Sequence, residues 1–147
     1  MARALAAVQK GRPAEALEWV APLLQPAYAP MMLRHQWLPD VLRLARAQSR
    51  SDIAEQAAAI CATEAAKEAR PARAYAADLR CQALLSGDPA PARAAAEHYR
   101  RVGRRFELAA ALEDAAMLSG EAPVEASSMY ASMSARWDVA RTSTVVI

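Results

Sequence analysis

Glycine is scarce in this chain of 147 residues, with four in all, and there are two cysteines and one phenylalanine. So few glycines leave little material for a phosphate-cradling loop, and none of G-x-x-x-x-G-K-[ST], G-x-G-x-x-G or G-x-S-x-G occurs. Two cysteines are too few for a secreted disulfide framework. Valine and isoleucine are sparse before the last residues, and the hairpin dipeptides Asn-Gly and Asp-Gly are absent, so a sheet has little support. No run of about 18 apolar residues exists to span a membrane. The opening MARALAAVQKGRP lacks the apolar stretch and cleavage site of a signal peptide, so a cytoplasmic location is expected.

What is abundant is alanine, which supplies much of the 54% hydrophobic content and favours closely packed helices. The expected class is all-α. The formal charge is only +2, although sixteen of the eighteen basic residues are arginine. The densest basic group, Arg100, Arg101, Arg104 and Arg105, falls where one helix ends and the next begins. It reads as a solvated patch, partly matched to a helix dipole.

The chain also repeats itself. LLSGDPAPARAAAEHYRRVGRRFELA, from Leu84, is echoed by MLSGEAPVEASSMYASMSARWDVA, from Met117, and Gly87 and Gly120 lie 33 residues apart. A repeat of that length builds a structural unit that cannot bury its apolar face alone. Proline, glycine and serine divide the chain into about eight or nine helices. Turns are expected near Gly11, Ser51, Gly87 and Gly120, and Asp52 with Glu55 has capping-box spacing. The helices pair into approximate units 1–30, 31–70, 71–103 and 104–135, with a partial unit 136–147, in one helical-repeat domain.

The inward stripes are Ala16, Leu17, Val20 and Leu24, then Trp37, Val41, Leu44 and Ala45. They continue with Ala54, Ala58, Cys61 and Ala65, then Ala92, Ala95, Tyr99 and Val102, and finally Leu108, Leu112, Ala115 and Leu118. Arg34, Glu113 and Asp114 are expected outside. His35 and His98 lack ligands at metal spacing and read as surface or packing residues. Cys61 and Cys81 come to the same level when the fourth and fifth helices fold together, as reduced, buried thiols. No catalytic residue, cofactor or metal site is indicated. The candidate groove residues, on the concave wall where repeat proteins bind, are Tyr28, Trp37 and Tyr99.

GRPAEAL resembles the turn of a tetratricopeptide hairpin, without the full pattern of Trp, Leu-Gly and Tyr in the first helix. More broadly, LRHQWLPDVLRLARAQSRSDIAEQAAA, QALLSGDP, ELAAALEDAA and ARWDVAR resemble the distal helical-repeat region of large ATP-binding LuxR-type bacterial regulators. The resemblance covers about Ala4 to Arg141. It implies a tetratricopeptide-like α-solenoid acting as an interaction or signal-sensing arm for a protein partner or small inducer. Nucleic acid would be met only through a missing DNA-binding domain, and neither that domain nor the nucleotide-binding motif is present here. The apolar ending Thr144-Val145-Val146-Ile147 suggests a homodimer through that end. The rival readings are direct nucleic-acid binding through the arginine groups and a compact helical bundle with a small-molecule pocket.

Overall fold

The computed structural model describes residues 2–31 and 33–143. The tail behind the homodimer expectation, Thr144 to Ile147, lies outside them. Among the described residues there are nine α-helices and no strand, so the chain is all-α. They are α1 (Ala2–Gln9), α2 (Pro13–Val20), α3 (Leu38–Ala47), α4 (Ser51–Ala65), α5 (Arg73–Ser86), α6 (Pro89–Arg101), α7 (Arg105–Ser119), α8 (Val124–Ser132) and α9 (Arg136–Ser143). Short 3₁₀ segments at Ala21–Leu24, Pro26–Tyr28 and Arg34–Gln36 fill the proline-containing connection between α2 and α3. None of the described helices is long and apolar enough to cross a membrane.

One turn joins consecutive helices directly in four places. Gly11, Ser49, Gly103 and Ser134 adopt φ of 67°, 56°, 72° and 59°, the left-handed region. The next N–H then donates back five residues: Arg12 to the Ala7 carbonyl at 2.9 Å, Arg50 to Ala45 at 2.8 Å, Arg104 to Tyr99 at 2.9 Å and Ala135 to Tyr130 at 3.0 Å. This is the Schellman closure, which satisfies carbonyls orphaned at a helix C-terminus. Each accepting residue is buried, so the turn is pinned to the core. The closing residue immediately precedes the next helix, which joins α1 to α2, α3 to α4, α6 to α7 and α8 to α9 as direct hairpins.

The turn expected near Ser51 therefore falls at Ser49, and Ser51 is already helical. Asp52 does not form the expected capping box, because both of its carboxylate oxygens take the Arg50 guanidinium, at 2.9 and 2.7 Å. Gly87 and Gly120 also end helices, Gly120 by the same closure, with φ of 71° and the Glu121 N–H donating to the Ala116 carbonyl at 2.9 Å. Gly87 hands over to Asp88, whose side chain accepts from the Ala90 N–H at 2.9 Å, a regular N-cap. After Gly120, Glu121 to Pro123 intervene before α8.

The internal contacts divide into two units, Met1–Cys81 and Gln82–Ile147, with the boundary inside α5. In the first unit Ala16, Leu17, Val20, Leu38, Val41, Leu42, Ala45, Ala54 and Cys61 are buried. In the second, Ala83, Ala92 and Ala115 pack with Leu118, while Ala109, Ala126 and Tyr130 pack with Leu112, Met129, Met133 and Val139. Small side chains at these contacts let helix backbones approach closely, so alanine serves as core here.

Candidate functional site

Polar chemistry gathers at three places. In the first unit Arg34, expected in water, is buried beside Glu64. Its Nε donates to Glu64 Oε1 at 2.7 Å and its Nη1 to the Leu23 carbonyl at 3.4 Å. Arg34 sits in a 3₁₀ turn rather than on α3, which removes it from that helix's wet face. His35 is buried next to it, with Nδ1 3.6 Å from Glu64 Oε2 and Nε2 lacking a hydrogen-bond partner. Burial lowers the His35 pKa below its ordinary 6.5, against the opposing pull of Glu64 and Glu68.

Glu68 lies nearby and caps α5 from outside the helix. Its carboxylate accepts from the N–H groups of Ala72, Ala74 and Tyr75 at 3.0, 2.9 and 2.9 Å. Burial works against its charge, but the backbone donors prevail and hold the carboxyl below its usual range. Cys61 and Cys81 do meet. Both are free thiols with no exposed surface, and the hydrogen bond between them, together with burial, pushes the Cys61 pKa well up. A thiol held protonated in this way is a poor nucleophile.

In the second unit Glu113 and Asp114 are 1% and 0% exposed, which overturns their expected placement in solvent. The reason is the position of α7: Leu108, Ala109, Ala110, Ala111 and Ala115 are buried too, so this helix has neighbours around most of its circumference. Glu113 is compensated from two other helices. Tyr130 of α8 donates its hydroxyl at 3.0 Å, and Arg141 of α9 donates Nε and Nη2, each at 2.7 Å. Arg141 also reaches Asp138 at 2.8 Å. The arrangement is a helix-locking ion pair. Among the described residues no three His, Cys, Asp or Glu side chains converge as a metal-binding set.

The third place is the end of the second unit that carries the basic group. Arg100 is held by Glu97 and by Glu125, the latter at 3.1 Å, and Arg104 lies 3.8 Å from Glu107. Arg105 donates to Ser132 Oγ at 2.9 Å, and Arg101 is exposed. The four arginines are thus one neighbourhood in sequence, but two of them are already neutralised. Val102, expected inside, is 53% exposed because α6 stops at Arg101 and the turn swings it away. Phe106 and Trp137 are 49% and 63% exposed, each three residues after a left-handed turn residue.

Of the expected groove residues, Tyr28 is exposed in its 3₁₀ segment and Trp37 is half-buried at the start of α3. Tyr99, in the second unit, is 4% exposed and packs in the core. A further exposed aromatic, Trp19, is covered on one face by the Arg3 guanidinium at 4.6 Å. The exposed pair Phe106 and Trp137 was visible in the sequence as the aromatic closing each copy of the repeat, although nothing there marked it as exposed. Comparison with protein-family models, with curated proteins and with solved structures finds no match to this chain.

Proposed function

We propose that this chain is a non-catalytic helical-repeat module of tetratricopeptide-like hairpins that binds a protein partner or small inducer. In this reading it is the interaction or signal-sensing arm of a LuxR-type regulator whose other domains are not in the sequence. The observation that carries the reading is the recurring turn: one backbone device joins helix pairs four times, as expected of a scaffold assembled from repeats. The buried ionisable groups point the same way, because Arg34 with Glu64 and Arg141 with Glu113 hold helices together instead of facing an open cleft. Direct nucleic-acid binding is disfavoured, since Arg100 and Arg104 are paired with Glu97, Glu125 and Glu107.

The test is a thermal-shift panel of small metabolites combined with crosslinking to partner proteins. A melting temperature raised by one ligand class, or one saturable protein partner, supports the module. A chain that melts unchanged in every ligand and crosslinks to nothing, or that turns over a substrate, sinks it.

A further inference from the structure

Phe106 and Trp137 occupy the same place in the same turn, 31 residues apart, as do Gly103 and Ser134. The corresponding positions in the first unit are Ala14 and Asp52, both exposed, so the turn itself does not require an aromatic there. Two large apolar rings left in water at equivalent sites call for a different explanation. The two turns lie side by side. Arg105 at the start of α7 donates to Ser132 at the end of α8, and the Phe106 ring packs edge-on against Tyr130 with centroids 5.5 Å apart. Val102 adds a third exposed apolar side chain to this end.

Part of the positive charge at this end has no ion-pair partner. Among the described residues no carboxylate lies within ion-pair reach of Arg101, Arg105 or Arg136. Arg105 and Arg136 are the first residues of α7 and α9, where the helix dipole already favours an anion over a cation. Resting on the interaction-module reading, we infer that Arg101, Val102, Arg105, Phe106, Arg136 and Trp137 form a docking surface for an acidic peptide segment with apolar anchor residues. Carboxylates of the segment meet the three arginines, and its Leu or Phe side chains cover Val102, Phe106 and Trp137. A polyanionic strand fits less well, because Glu97, Glu107, Glu125 and Asp138 break up the positive charge at this end. A peptide can space its carboxylates to meet the three arginines alone, whereas a continuous row of phosphates cannot.

The test uses the full chain and a fluorescein-labelled peptide of about 18 residues, with Leu and Phe at helical spacing among Asp and Glu. An Asn/Gln version of the peptide and a single-stranded DNA of about 20 nucleotides serve as comparisons. The acidic peptide is expected to bind saturably and less well as salt rises. Phe106→Ala with Trp137→Ala is expected to weaken binding about tenfold or more, with helical circular dichroism unchanged. Arg101→Ser with Arg105→Ser and Arg136→Ser should remove the preference over the Asn/Gln peptide. Equal binding of the Asn/Gln peptide, tighter binding of the DNA, or an unaffected aromatic double variant overturns the surface. Peptide binding that protects amides only elsewhere overturns the surface while the module reading stands. A chain that binds no peptide overturns the surface alone, because the ligand and crosslinking panel tests the module independently.

Discussion

Arg141 closes on Glu113 with two parallel hydrogen bonds, Nε to Oε1 and Nη2 to Oε2, each 2.7 Å long and spanning 28 residues of sequence. The carboxylate is 1% exposed, so its charge depends on that fork and on the Tyr130 hydroxyl. Removing one partner of a buried pair strands the other. Arg141→Ala is therefore expected to cost about 2–4 kcal/mol in denaturant unfolding, and Tyr130→Phe about 1 kcal/mol. The double replacement Glu113→Gln with Arg141→Met should recover part of the loss, since no unpaired charge is then left buried at position 113. If Arg141→Ala unfolds at the wild-type midpoint, the pair is not holding α9 to α7.

The recurring turn makes a prediction of opposite sign at serine and glycine. Ser49 and Ser134 carry a side chain in the left-handed region, where an L-residue is strained by roughly 1–2 kcal/mol. Ser49→Gly and Ser134→Gly should each stabilise by about 0.5–1 kcal/mol after the added freedom of the unfolded chain is subtracted. Gly103→Ala should destabilise by about 1 kcal/mol. A Cβ at Gly103 would meet nothing within 4 Å, so that cost is conformational and not steric. Chemical denaturation of the three variants measures it, and equal effects at serine and glycine would refute the assignment.

How far the sequence alone reaches can be judged from these residues. The break between α6 and α7 was expected within the arginine group Arg100 to Arg105, and α7 from Arg105 to Ser119 follows from periodicity and the closing glycine. Ser49 was not legible, because serine is not a usual left-handed residue and Ser51-Asp52 offers a more conventional helix start. Glu113 was misplaced for a related reason. The expected stripe of Leu108, Leu112, Ala115 and Leu118 leaves the acids outside, but small Ala109, Ala110 and Ala111 line the rest of the helix. A helix apolar nearly all round is a central one, and its acids then need partners. The partner Arg141 lies two helices away, a distance that local patterns do not encode. The aromatic pair Phe106 and Trp137 was visible as a repeat feature, whereas its exposure depends on where α6 and α8 stop.

Capping of α5 falls to Glu68, five residues before the helix begins at Arg73. Its folded pKa lies below the ordinary 4.5, so its contribution is complete above that value and is lost as pH falls through the folded pKa. Glu68→Ala should cost about 1 kcal/mol at neutral pH, in the range of a lost cap, and nearly nothing once the carboxyl is protonated. Hydrogen exchange at Ala74 and Tyr75 gives a local reading, and unchanged protection there would exclude the cap.

His35 gives a pH dependence at higher pH. It is buried against Glu64, with Glu68 and Arg73 in electrostatic range, and burial sets its folded pKa below the unfolded 6.5. Below pH 6.5 the unfolded chain binds the proton more readily, so stability is full above that value and falls as the solution is acidified toward the folded pKa. His35→Gln should flatten this part of the stability curve without altering the steeper loss near pH 4 that the carboxylates produce. Matching slopes between pH 5 and 6.5 in the two proteins would show that His35 titrates freely.

The Cys61–Cys81 contact joins α4 to α5 through two thiols with no exposed surface. The hydrogen bond and burial disfavour the Cys61 thiolate, the species that attacks disulfide reagents, and Cys81 has no exposed surface at which a reagent could reach it. Native protein at pH 8 should therefore release almost no thionitrobenzoate over minutes, while two equivalents appear after unfolding in guanidinium, one for each free cysteine. Because labelling must await opening of the α4–α5 contact, its rate reports that local opening. Cys61→Ala removes the sulfur partner and leaves a small void, so it should speed labelling of Cys81 while the helical signal stays intact. Rapid stoichiometric reaction of the native chain would mean that the two thiols face solvent, and the packing of α5 against α4 would have to be redrawn.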